Sequence, residues 1–389
     1  MEYARTTAAF LAACLTLTAA AAARAQDPGM ELPPGIDLNL EPVPSSGNGQ
    51  PGEWAPVPVI PPGADTGMPL DLPPGAEPQK TAEPVNPLDE VFGGALEAYR
   101  GRDYVTARDL WRELTDAGHE LSTHNLAVLL WRGQGGPQDR QEAFDLFHAA
   151  EELKVAESAH ALGVIHLRGL GVAKDPTIAM QHFEKASQMG HAPSTYNLAV
   201  AHLKGIGVPS DPDHGMELMT AAAEGGLTRA QYDLANLLVR GTYGTPNPAA
   251  ARDWYAQAVA GGDPFAHYNL AVMYQDGVGG KADLVAAEDH LRKAAGAGVV
   301  PAQRQLGYVL ATRGGKKDFQ DAMGWFLVAA SFGDETSKTN AQRLKPRLDP
   351  KAQKAAEAWA RNFQPTQLEV ATKSNETGRQ EKVDVGIPR

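Results

Sequence analysis

The chain has 389 residues, with 35 Lys and Arg against 47 Asp and Glu, a formal net charge of −12, and a hydrophobic fraction of 43%. An acidic balance argues against a nucleic-acid protein, because neutralising phosphates requires clustered Lys and Arg. A single cysteine, Cys14, excludes an intrachain disulfide and any Cys-rich metal or iron–sulfur site.

Residues 1–25 read as a secretory signal peptide. Arg5 supplies the positive region, Ala8 to Ala23 is uncharged and rich in Ala and Leu, and Ala23-Arg24-Ala25 places small residues around a cleavage site before Gln26. The alternative is a lipoprotein signal, since Leu11-Ala12-Ala13-Cys14 resembles a bacterial lipobox. Either way the chain is expected to be exported, most simply to a periplasm, with no transmembrane helix in the mature form. Residues 26–87 hold 16 of the 29 prolines and repeat Leu32-Pro33-Pro34-Gly35, Ile60-Pro61-Pro62-Gly63 and Leu72-Pro73-Pro74-Gly75. Proline removes backbone donors and disfavours helix before it, so this segment is expected to be a disordered linker with polyproline II character. It is either a spacer or a short motif displayed three times. It carries nine acids and only Lys80, so most of the negative excess belongs to it. The case against nucleic acid therefore rests on export rather than on charge.

From residue 88 onward the sequence repeats itself. Asp103-Ala107-Trp111-Leu114 begins a series continued by Asp139-Ala143-Phe147-Ala150, Asp175-Ala179-Phe183-Ala186, Asp211-Gly215-Met219-Ala222, Asn247-Ala251-Tyr255-Ala258, Asp283-Ala287-Leu291-Ala294 and Asp318-Ala322-Phe326-Ala329. The starts lie 36 residues apart, except for a last interval of 35. Offsets of 4, 8 and 11 fall on one face of a helix, here called helix B. Its first residue reads as an N-cap, and Pro176, Pro212 and Pro248 occupy the first helical position. A glycine 15 residues after the start (Gly118, Gly190, Gly226, Gly262, Gly298, Gly333) suits a left-handed C-terminal cap, and Lys154 stands in that slot once. Helix A precedes each helix B and closes at Gly133, Gly169, Gly205, Gly241 and Gly277. No single hairpin can bury its apolar face, so neighbours must stack.

Gly169-Leu170-Gly171, Gly205-Ile206-Gly207 and Gly277-Val278-Gly279, with the Ala and aromatic positions that follow, resemble Sel1-like repeats, a family related to the tetratricopeptide α/α solenoids. The resemblance covers about residues 119–333. Residues 88–118 look more like a tetratricopeptide hairpin, and the last copy is one residue short at Arg313-Gly314-Gly315. The expected fold is all-α: a right-handed superhelical solenoid of about seven hairpins, one tetratricopeptide-like and six Sel1-like. Capping helices over 334–364, with Ala355, Ala356, Trp359 and Phe363 covering the last hairpin, and a loose tail over 365–389 complete it.

No catalytic constellation stands out: there is no Gly-x-Ser-x-Gly, no His-Glu-x-x-His and no Walker loop. No Gly-x-Gly turn of the repeats completes Gly-x-Gly-x-x-Gly or follows a strand, so no cofactor is expected. His166 and His202 occupy equivalent positions, but Leu130, Leu238 and Tyr274 fill the same slot, which marks packing rather than a metal site. Two ladders are the candidates for partner binding. Asn125, Asn197, Asp233 and Asn269 recur on helix A with Ala161 between them. The resemblance to tetratricopeptide clamps implies that these hold a peptide backbone; the other reading is a bond to the adjacent helix. Arg132, Arg168, Lys204 and Arg240 recur just before the closing glycine, with Asp276 breaking the series. They either complement the helix dipole or form a basic stripe. Tyr196, Tyr232 and Tyr268, continued by His124 and His160, read chiefly as packing.

What the resemblance implies is an exported, non-catalytic adaptor whose concave face binds a protein or peptide segment in the cell envelope, since periplasmic relatives regulate envelope signalling or assembly. The rival is a cell-wall enzyme or binding protein for peptidoglycan fragments or β-lactams. For that rival the chain has no Ser-x-x-Lys pair.

Overall fold

The computed structural model describes residues 87–366 and residue 368, and the expected signal peptide, nearly all of the proline-rich linker and most of the tail lie outside them. The described residues form two compact units, one ending at Leu227 and the other beginning at Thr228. Every regular element among them is helical.

The N-terminal unit holds four hairpins: α1 (Pro87–Arg100) with α2 (Tyr104–Asp116), α3 (Glu120–Arg132) with α4 (Arg140–Glu152), α5 (Ala156–Arg168) with α6 (Pro176–Gln188), and α7 (Ala192–Lys204) with α8 (Pro212–Glu224). The C-terminal unit holds α9 (Thr228–Arg240) with α10 (Pro248–Ala260), α11 (Pro264–Asp276) with α12 (Leu284–Gly296), and α13 (Val300–Arg313) with α14 (Lys316–Ser331). It ends with α15 (Glu335–Leu344), a short 3₁₀ turn and α16 (Pro350–Arg361). Within each unit consecutive helices pack on one another, which makes both of them α/α solenoid stacks.

The helix B pattern is realised in packing. Trp111, Phe147, Phe183, Met219, Tyr255, Leu291 and Phe326 are all buried, each on the same buried helix face as the residues that precede and follow it in the series. Caps are realised as well. Asp103, Asp139, Asp175, Asp211, Asn247 and Asp283 each accept a hydrogen bond from a backbone amide two or three residues on. Asp318 departs from the expectation. Helix α14 starts at Lys316 behind Gly315, so Asp318 lies inside the first turn and makes no cap. The loop shortened by one residue moves the helix start upstream, and an acid there still meets the positive end of the dipole.

Helix A is enclosed far more completely than helix B. Ser122–Trp131 of α3 and Ser158–Ile165 of α5 are unbroken runs of buried residues. The Gly-rich loops serve the same enclosure. A Cβ on Gly207 would stand 2.4 Å from the carbonyl oxygen of Pro176, at the start of the preceding helix B. The second glycine of that turn is therefore a packing requirement and not a nucleotide signature. At the C-terminal end Ala356 is buried, and Trp359 packs at 4.9 Å from Trp325 and against Gly324.

Lys154 has φ of +66°, where the equivalent Gly190 has +84°. A side chain in the left-handed region costs about 1–2 kcal/mol. Lys154→Gly is therefore expected to stabilise the protein by about 1 kcal/mol, and Gly190→Ala to destabilise it by a similar amount. Urea midpoints at unchanged slope check both.

Candidate functional site

The amide ladder faces inward. Asn125 and Asn197 in the N-terminal unit, and Asp233 and Asn269 in the C-terminal unit, are each at most 4% exposed. Asn269 Nδ2 donates to the Tyr255 hydroxyl at 3.1 Å and the Tyr232 hydroxyl at 3.3 Å, and Tyr255 donates to Asn236 Oδ1 at 2.6 Å. Burial pushes both tyrosines above their ordinary range, so they remain neutral hydroxyls. Asp233 Oδ2 accepts from Arg229 Nε one turn earlier, at 2.6 Å. Around Asn269 and Asp233, at least, the polar groups of the ladder bond to neighbours inside the fold.

The basic ladder sits at the rim. Arg168 and Lys204 are exposed in the last turns of α5 and α7, while Arg132 and Arg240 are half-buried in those of α3 and α9. Burial draws Arg132 below its usual value, opposed by the Tyr99 hydroxyl with which it hydrogen-bonds. The rim of the N-terminal unit thus repeats one feature: a cation in the last helical turn followed by a left-handed glycine, at Gly133, Gly169 and Gly205.

The histidines do more than the sequence suggested. His119 and His191 are N-caps: the amide of Ser122 donates to His119 Nδ1 at 3.2 Å, and that of Ser194 to His191 Nδ1 at 3.3 Å. Ser194 Oγ also lies 2.9 Å from His191 Nδ1 and 2.8 Å from His160 Nδ1. An amide can only donate, so Nδ1 of His191 must be unprotonated, and this cap requires a neutral ring. Burial lowers His191 to about 4 and drives His160 well below its usual value, helped there by the neighbouring His191. His-x-x-Ser is the signal that could have revealed these caps. The two histidines compared in the sequence do not meet each other. His202 packs edge-on against His214, whereas His166 joins His148 and His182.

Enclosed A helices, capped B helices and a cationic rim define an α/α repeat scaffold. The Sel1 repeat profile matches six consecutive segments, 121–155, 156–191, 192–227, 228–263, 264–299 and 300–334, and the chain belongs to the Sel1 repeat family. The division between the two units falls on a repeat boundary. Among solved structures the chain is similar to c5321, a protective antigen of uropathogenic Escherichia coli with an SLR fold. That likeness has 27% identity and a TM-score of 0.60, over 77% of this chain and 66% of that one, slightly under two thirds of its length. A Sel1 repeat protein from Oxalobacter formigenes shares the fold at 22% identity and a TM-score of 0.52, over 61% of this chain and 95% of that one. No curated protein matches the chain in sequence. Among the described residues no helix is long and apolar enough to cross a membrane.

Two outcomes follow from the buried polar groups. Asn269→Leu is expected to cost about 2 kcal/mol, because it deprives two buried tyrosine hydroxyls of a partner; thermal unfolding reads this. The second is pH dependence. The folded state holds His160 and His191 neutral, so the unfolded chain binds protons first as pH falls below about 6.5. Stability is complete above that value and falls toward pH 4, by at most about 1.4 kcal/mol per pH unit for each group. Urea titrations across this range should show the decline, and His191→Asn, which keeps a capping side chain, should make it shallower and leave the part due to His160.

Proposed function

We propose that this chain is an exported adaptor, without catalysis of its own, that holds an acidic protein or peptide segment of the cell envelope on the cationic rim of its repeats. The Sel1 repeat solenoid is an interaction fold, and this supports a protein partner. The sequence of residues 1–25 supports export. The observation that carries the choice of surface is the contrast between the two ladders. Asn125, Asn197, Asp233 and Asn269 are buried, whereas Arg168 and Lys204 are exposed in equivalent turns. An extended ligand thus meets guanidinium and ammonium groups before it meets any asparagine. Arg132, in the same unit, is half-buried and adds a weaker field. Binding through exposed cations fits an acidic segment and favours encounter rate and salt-sensitive specificity.

A photo-crosslinking residue at position 204, in cells exporting the full chain, is expected to capture a defined envelope protein. The double variant R168E/K204E should weaken the isolated complex at least tenfold and reduce its salt dependence, while melting within a few degrees of wild type. Equal binding by the double variant would remove the rim from the reading. Turnover of a β-lactam or peptidoglycan substrate that a single substitution abolishes would overturn the adaptor itself.

A further inference from the structure

We propose that His148, His166 and His182 form a binding site for one divalent transition-metal ion of the zinc type. One ring nitrogen from each residue lies within 4.8 Å of the other two. They come from three consecutive helices, α4, α5 and α6, and so from two adjacent repeats, 121–155 and 156–191. Zinc–imidazole bonds of about 2.0–2.1 Å set tetrahedral nitrogens about 3.3 Å apart, so modest side-chain rotation closes the set.

Two further features point to a ligand rather than to packing. His182 Nδ1 is 2.6 Å from Oε1 of Glu151, a carboxylate only 3% exposed that is also bound through Oε2 to Lys185 Nζ at 2.7 Å. A carboxylate on Nδ1–H fixes the tautomer that turns the lone pair of Nε2 away from Glu151, the arrangement that orients metal-binding imidazoles and raises their basicity. His166 Nδ1 is buried and has no hydrogen-bond partner. A buried polar atom left unpaired calls for an explanation, and here an ion within the cluster supplies one. The ring of His166 stacks on that of His182 at 5.5 Å, and Phe144 meets both His148 and His166, so apolar contacts wall the cluster on one side. His148 and His166 are half-buried, which leaves the outer side open. Water or a partner's side chain would complete the tetrahedron there. An ion held this way ties two repeats together and stabilises the folded unit by mass action.

The test uses the full chain, metal-stripped and without a histidine tag, titrated with zinc chloride by calorimetry. One ion per chain is expected, with a rise in melting temperature. His182→Ala and Glu151→Gln should each weaken binding at least tenfold, the second while keeping all three imidazoles. The paired variant His202→Ala/His214→Ala should leave zinc binding unchanged. Absence of saturable binding at micromolar zinc overturns the site, as does undiminished binding in a chain lacking all three histidines. If those variants fail to fold, Co²⁺ decides on the wild-type chain. The visible absorption of a tetrahedral nitrogen-ligated ion supports the site, and its absence overturns it.

Discussion

Beyond the first hairpin of each unit, every helix A lies between its own helix B and that of the preceding repeat, and this enclosure governs what the rest of the repeat can be. A helix buried all round has no face for solvent, so every polar side chain along its middle must find a partner within the fold. In the C-terminal unit this is how the Tyr232, Asn236, Tyr255 and Asn269 network arises, four groups from three helices joined by hydrogen bonds. In the N-terminal unit His124 Nδ1 and His160 Nδ1 meet Ser158 and Ser194 of the next repeat at 2.7 and 2.8 Å. The same slot thus holds histidine bonded to serine at 124 and 160 and tyrosine bonded to an amide at 232, two chemical answers to one burial.

Enclosure also confines recognition chemistry. If the middle of helix A is unavailable, an outside partner can reach its last turn, the loop that follows and the outer face of helix B. The last turn is where the negative end of the dipole collects cations, so Arg168 and Lys204 serve two ends at once. They complement their own helices and they form the accessible charge. No choice between these roles is needed, because a dipole term of about 0.3–1 kcal/mol leaves the outer hydration sphere of an exposed cation open to a partner.

Much of this was legible in the sequence. The capping acids, the aromatic rung of helix B and the left-handed glycines follow local rules with fixed offsets, so spacing alone placed them. Asp318 misled because a loop one residue shorter changes where a helix begins, not where the repeat seems to begin. The orientation of Asn125, Asn197, Asp233 and Asn269 was not legible, since periodicity tells one face from another only when one of them is polar. Histidine caps escaped because imidazole is rarely considered for that role beside Asp, Asn, Ser and Thr. The group at 148, 166 and 182 escaped for a different reason. Its spacings of 18 and 16 residues match no single-helix ligand motif, and only the hairpin and the stacking of repeats bring three helices to one point.

That cluster and the cationic rim are not independent features of the N-terminal unit. His166 and Arg168 share the last turn of α5, where backbone hydrogen bonding is weakest because the terminal carbonyls lack helical partners. Gly169 closes the turn at φ of +71°, with its amide bonded to the Ile165 carbonyl. Holding His166 to α4 and α6 through one ion would fix that turn from inside, and with it the direction in which Arg168 leaves the helix. A partner that gains affinity from Arg168 must order the side chain and any fraying of the turn beneath it, so prior ordering reduces what binding has to supply. An unfilled cluster leaves the cost with the partner. In this way an ion remote from the contact surface would act on affinity through a single helical turn, with no new contact at the rim.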